Sequence, residues 1–171
     1  DTGIDAIYIQ ISSGYVNGQD LLTLTGSHPT LSSSWDPLAG KLTLTGVASQ
    51  PTYVNLVAAI KDVEYSSSAA NPSGIRTFSI TVGQANYLPS NGHYYQYVPN
   101  IGISWANAKI AAQASFYYGL QGYLATITAA DEAQLSGEQA AGAGWIGGSD
   151  EQMEGVWRWM TGPEIGTIFW N

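Results

Sequence analysis

The chain has 171 residues, enough for one large or two small domains. Charged side chains are only 11% of it, well below the share usual in soluble domains, so Ser, Thr, Asn, Gln and Gly must cover the surface around a 44% hydrophobic content. A net charge of −8 with only Lys41, Lys61, Arg76, Lys109 and Arg158 as basic residues leaves no basic stripe for nucleic acid or an anionic membrane, and the lack of cysteine excludes disulfides, thiol catalysis and Cys-ligated zinc.

In chain order, Ala6 to Ser12 alternates apolar and polar side chains, the period of a half-buried strand. Further strands are expected at Leu21–Thr25, Lys41–Thr45, Val63–Ser66 and Thr77–Val82, separated by Gly, Asn, Pro and Ser clusters such as Val16-Asn-Gly18 and Asn71-Pro-Ser-Gly74. One segment breaks the β pattern. Pro51–Lys61 carries Tyr53, Leu56, Val57 and Ile60 at helical spacing, with Pro51 suited to a first turn. Short strands punctuated by turns predict an all-β sandwich over 1–83, crossed by one short helix.

Residues 4–83 resemble a cadherin-like repeat of the kind strung along large bacterial surface proteins. The resemblance rests on Gly14-Tyr-Val-Asn-Gly-Gln-Asp20, Trp35-Asp36, Gly40-Lys-Leu-Thr-Leu-Thr-Gly46, the Tyr53 helix leading into Val63-Glu-Tyr65, and Asn71-Pro72-Ser73 before Arg76–Val82. The acidic calcium motifs that join true cadherin repeats do not occur, so calcium-stiffened stacking does not carry over. The family's opening strand is not found before Asp1.

Residues 84–92 read as a short, semi-rigid linker in which Tyr87, Leu88 and Pro89 can pack. Beyond it, His93–Val98 reads as a strand, and Ser104 as the N-cap of an Ala-rich helix from Trp105. A short strand follows at Tyr123–Ile127, then a helix introduced by Thr128-Ala-Ala-Asp131 in the manner of a capping box. This order, with Ser104-Trp105-Ala106, Ala108, Tyr123–Ile127, Glu132, Trp145-Ile-Gly147 and Glu154-Gly-Val-Trp157-Arg-Trp159, resembles the first half of a C-type lectin-like domain. Gly162-Pro-Glu164 and Phe169-Trp-Asn171 are similar to its bacterial members. The resemblance implies an α+β domain over 93–171, incomplete at its C-terminus. A half-domain of this kind would expose a sheet edge and apolar surface.

The resemblance also implies that Asp150 and Glu154 match an auxiliary Ca2+ site, since two carboxylates four positions apart in a turn can converge on one hard cation. Alternatively, Asp150 caps its own turn and Glu154 is solvated. The family's main sugar site uses a carboxylate–Pro–Asn type tripeptide with a later Asn-Asp pair; neither occurs up to Asn171, so carbohydrate-binding residues are expected beyond it. Trp145, Trp157 and Trp159 could stack on sugars or pack in a core, and core packing is the expectation. His28 and His93 have no spaced partner for metal or catalysis. No nucleophile elbow, dinucleotide fingerprint or phosphate loop occurs, so the chain is not read as an enzyme.

These features predict a fragment of a secreted or bacterial cell-surface adhesin: a sandwich spacer followed by a module that binds glycans or surface glycoproteins, with Ca2+ as the implied cofactor. Neighbouring domains of a longer chain are the other expected partners. No apolar run can span a membrane, and Asp1, with no charged leader, reads as a processed or cut terminus. The alternatives are a structural spacer or calcium-independent protein-binding module, and an accessory region of a glycan-active enzyme.

Overall fold

The computed structural model describes Ile4 and residues 6–47 and 51–171. It is mostly β-sheet with three short helices. In chain order the elements are β1 Ala6–Ser13, β2 Asp20–Leu24, β3 Leu31–Asp36, β4 Lys41–Gly46, α1 Tyr53–Lys61, β5 Val63–Ser67, β6 Thr77–Thr81, β7 Asn86–Leu88 and β8 His93–Tyr95. Then come α2 Trp105–Ala114, β9 Phe116–Tyr117, β10 Leu120–Gln121, α3 Ala130–Ala133, a π turn over Gln134–Glu138, β11 Gly148–Ser149, β12 Trp157–Trp159 and β13 Ile168–Trp170. No helix among the described residues is long and apolar enough to cross a membrane.

Two compact units form, and they are discontinuous in sequence. The first takes the described residues up to Gln96 together with Ala129–Ala141; the second takes Tyr97–Thr128 and Gly142–Asn171. The sequence reading instead places a single boundary at 84–92. That stretch carries β7, which pairs with β8 as an antiparallel hairpin, and Leu88 is buried.

In the first unit, β1 and β4 are the inner strands of an antiparallel sheet ordered β3-β4-β1-β6, and β2 pairs with β5 in a second sheet. The alternation in β1 turns Ile7, Ile9 and Ile11 to one side, where they pack with Leu42 and Leu44 of β4, Leu22 of β2 and Leu56 and Ala59 of α1. Each such fully buried aliphatic side chain contributes ~1.5–3 kcal/mol relative to exposure. Helix α1 starts where Thr52 Oγ1 accepts the Asn55 N–H, a Thr N-cap directly after Pro51.

The other side of β1 is polar but also buried. Gln10 and Ser12 are covered, and the segment Ala129–Ala141 supplies two amide clips there. Gln134 accepts from Gly14 N–H at 2.9 Å and donates to Tyr15 O at 2.7 Å. Gln139 donates to Ile11 O at 3.0 Å and Ala39 O at 2.6 Å, and Gln10 also donates to Ala39 O. Buried amides of this kind are tolerated because each donor finds a carbonyl.

A buried ion pair closes the loop end of the unit. Asp20 accepts from Arg76 Nε at 2.6 Å and Nη2 at 3.3 Å, from Tyr65 Oη at 2.9 Å and from Val16 N–H at 2.9 Å. Burial pushes the Asp20 carboxyl up, but the bonds from Arg76, Val16 and Tyr65 outweigh it and hold the group below its ordinary value. The same pairing raises Arg76.

The second unit is held more by loop-to-loop hydrogen bonds than by ladders. Ser104 caps α2 through the Asn107 N–H, as its sequence position predicts, yet no α2 residue is buried. The strand expected at Tyr123–Ile127 is not formed. Instead of a ladder, Leu124 O accepts from Thr161 Oγ1 at 2.7 Å and Ala125 O from Gly147 N–H at 2.7 Å. Strands β11, β12 and β13 make a small antiparallel sheet in that order. Tyr118 and Gly119, both at positive φ (50° and 81°), turn the β9–β10 hairpin, the conformation a two-residue connection requires.

Candidate ligand-binding site

The acidic turn between β11 and β12 is organised by its own backbone. Met153 N–H donates to Asp150 O at 3.0 Å and Glu151 N–H to Ser149 Oγ at 3.1 Å. Asp150, half-buried, accepts the Gly155 N–H on Oδ2 at 3.3 Å, which is the turn-capping arrangement. Glu154 is exposed. Among the described residues no group of three or more His, Cys, Asp or Glu side chains comes together as a metal site. Two carboxylates, one already engaged, fall well short of the ~6–8 oxygens calcium takes. These residues alone do not make the shell.

The aromatic residues divide by environment. Trp159 is buried and stacks on Phe169, with centroids 4.0 Å apart and planes at 18°. Core packing, the expectation for the tryptophans, describes Trp159. Trp157 is half-buried, opposite Trp170 in the β12–β13 register. Trp145 differs: it is 54% exposed, and its indole N–H is fixed by Ile103 O at 2.7 Å. Trp105 mirrors it, donating from Nε1 to Ile146 O at 2.8 Å, with Lys109 Nζ 5.2 Å from its ring centroid. Two indoles thus exchange hydrogen bonds with each other's flanking loops. Trp145 is held at its polar edge while the residue remains more than half exposed.

Sequence reasoning named Trp145 but not its anchor. In the sequence Trp105 reads as a helix start and as part of the Ser104-Trp105-Ala106 motif, not as a partner of Trp145, and nothing there marks Trp170 as exposed. The reciprocal spacing of 103 to 105 against 145 to 146 is the one signal, and it has meaning only once the loops are known to meet. His28 also gains a partner invisible in sequence: its Nε2 lies 3.0 Å from Asp62 Oδ2, in the first unit and far along the chain from this site.

The chain is 34% identical over 180 aligned residues, 99% of its length, to Halomucin of Haloquadratum walsbyi. It spans about 2% of that protein, which is therefore thousands of residues long. No family model matches the chain, and no solved structure matches it.

Proposed function

We propose that this chain is a two-unit module of a very long secreted or cell-surface protein, and that its second unit binds carbohydrate. The observation that carries the reading is Trp145, a side chain that is exposed yet fixed at its indole N–H. A preorganised indole stacks on the apolar face of a sugar at little entropic cost. A low-charge, Ser-, Thr- and Asn-rich surface suits a neutral glycan as partner. The similarity along nearly the whole chain to a small part of a giant protein supports a modular, extracellular setting.

Within this proposal, residues 4–83 of the first unit are a cadherin-like spacer, and the second unit, Tyr97–Thr128 with Gly142–Asn171, carries the C-type lectin-like part of the chain. The four-on-two antiparallel arrangement supports the first assignment, and the Ser104-capped helix with the Trp145–Trp159 region supports the second. Screening the protein against an array of neutral and acidic glycans, with calcium and with chelator, tests the reading. Saturable glycan binding supports it, and its dependence on calcium decides whether ligands outside the described residues complete a metal site. Absence of any glycan binding in both conditions refutes it.

A second reading has its own observation. Ile168, Phe169 and Trp170 of β13 are all exposed on the second unit, apolar side chains suited to a protein neighbour. Capture of an adjoining domain of the same long chain, with no glycan signal, selects that reading.

A further inference from the structure

The chain contains two Asn-Gly dipeptides, Asn17-Gly18 and Asn91-Gly92, in very different settings. We propose that Asn17 is a site of spontaneous, self-catalysed deamidation to aspartate and isoaspartate, and that Asn91 is protected by the fold.

The chemistry sets the criteria. The backbone nitrogen of the following residue attacks the asparagine Cγ. The new Cγ–N bond closes a five-membered succinimide, the Cγ–Nδ2 bond breaks, and ammonia leaves with the proton lost from the backbone nitrogen. Water then opens the ring at either carbonyl, giving aspartate or isoaspartate. The nucleophilic N–H must therefore be free, and the side-chain amide must be able to swing onto it. Glycine next in sequence removes the Cβ that would obstruct this approach.

At Asn91 both requirements are blocked. The nucleophile, Gly92 N–H, is donated to Leu88 O at 2.9 Å. The side-chain amide is held at both ends: Oδ1 accepts the His93 N–H at 3.0 Å, while Nδ2 donates to Tyr95 Oη at 2.8 Å and to Glu132 Oε1 at 3.3 Å. Cyclisation there requires several local hydrogen bonds to open first.

At Asn17 neither is blocked. Gly18 N–H makes no hydrogen bond among the described residues, and both residues are exposed. A Cβ built on Gly18 meets nothing within 4 Å, so water has free access. The side chain has one long contact, Oδ1 from Tyr15 Oη at 3.5 Å, which leaves Nδ2 free to depart. The site also matters to the fold. Residues 16–20 form the turn in which Gln19 and Asp20 N–H both donate to Val16 O, and Val16 N–H donates to the buried Asp20 carboxylate. Isoaspartate at 17 lengthens this turn by one backbone atom beside the Asp20–Arg76 pair.

The test is to age the folded protein at mildly alkaline pH and follow both sites by peptide mass spectrometry with an isoaspartate-specific methyltransferase readout, in buffer and in concentrated denaturant. The expected result is modification at Asn17 faster than at Asn91 by about tenfold or more, equivalent to ~1.4 kcal/mol in barrier. The two rates should converge in denaturant, and Asn17→Gln, which cannot close the five-membered ring, should abolish the first signal. Equal rates at the two sites in the folded protein, faster reaction at Asn91, or a contrast that persists in denaturant would overturn the proposal.

Discussion

Removing the Asp20 carboxylate should be among the most damaging single changes in the first unit. Asp20 is 4% exposed, and its side chain is the shared acceptor for Arg76 Nε and Nη2, Tyr65 Oη and Val16 N–H. Asp20→Ala leaves a guanidinium with 10% side-chain exposure, a phenol and a backbone N–H without that acceptor. Breaking a buried pair in this way costs ~3–5 kcal/mol, a large part of the ~5–15 kcal/mol that holds a domain together. Asp20→Asn keeps the shape but loses the charge, and should cost less, ~1.5–3 kcal/mol. Asp20→Leu with Arg76→Met removes both charges and should recover much of the loss.

Urea unfolding monitored through Trp35 reports on this unit, since that ring packs edge-on to Tyr15 with centroids 6.2 Å apart. The carboxyl also sets an acid dependence. Its folded pKa lies below the ordinary value of 3.8, so the unfolded chain takes up the proton first as pH falls. The stabilisation is complete above the unfolded value and is lost as pH drops from there through the folded one. Asp20→Asn should flatten the stability profile in that acidic window. An Asp20→Ala protein within ~0.5 kcal/mol of wild type, the range of ordinary surface substitutions, would refute the reasoning. So would a double variant no more stable than the single one.

Two further changes probe close packing and the amide clips. A Cβ at Gly147 would lie 2.1 Å from Thr161 Oγ1 and 2.9 Å from Leu124 O, so Gly147→Ala should destabilise the second unit by ~1–3 kcal/mol, read by thermal unfolding of that unit's amide signals. Gln139→Ala leaves Ile11 O without its amide donor and should cost ~1–3 kcal/mol, visible as faster hydrogen exchange in β1.

Much of the first unit is legible from local pattern, because period-2 alternation in Ala6–Ser12 and the helical spacing of Tyr53, Leu56, Val57 and Ile60 are signals carried by neighbours in sequence, although Pro51 precedes the Thr52 N-cap instead of opening the first turn. Strand β3 was not, since Ser32, Ser33 and Ser34 hide the alternation; its six residues are extended because each finds a partner along β4. Asp20 and Arg76 could be quoted as motif residues, but nothing in a separation of 56 positions announces a bond. The placement of Ala129–Ala141 with the first unit is the same case. It depends on Gln134 and Gln139 reaching backbone more than a hundred residues away, which no local period encodes. In the second unit, the Asp150 turn is readable as a turn, while the N–H from Gly155 that its carboxylate accepts is not announced by any local pattern.

The most direct measurement on the binding proposal is affinity electrophoresis of wild-type protein and the Trp145→Ala variant through gels containing the glycan that the array identifies. Loss of an exposed, anchored indole should weaken binding by ~2 kcal/mol, about thirtyfold, while leaving the unfolding profile close to wild type. Retardation of the wild type, lost in the variant, is the predicted result. Equal retardation of both proteins would contradict the assignment of the site to Trp145.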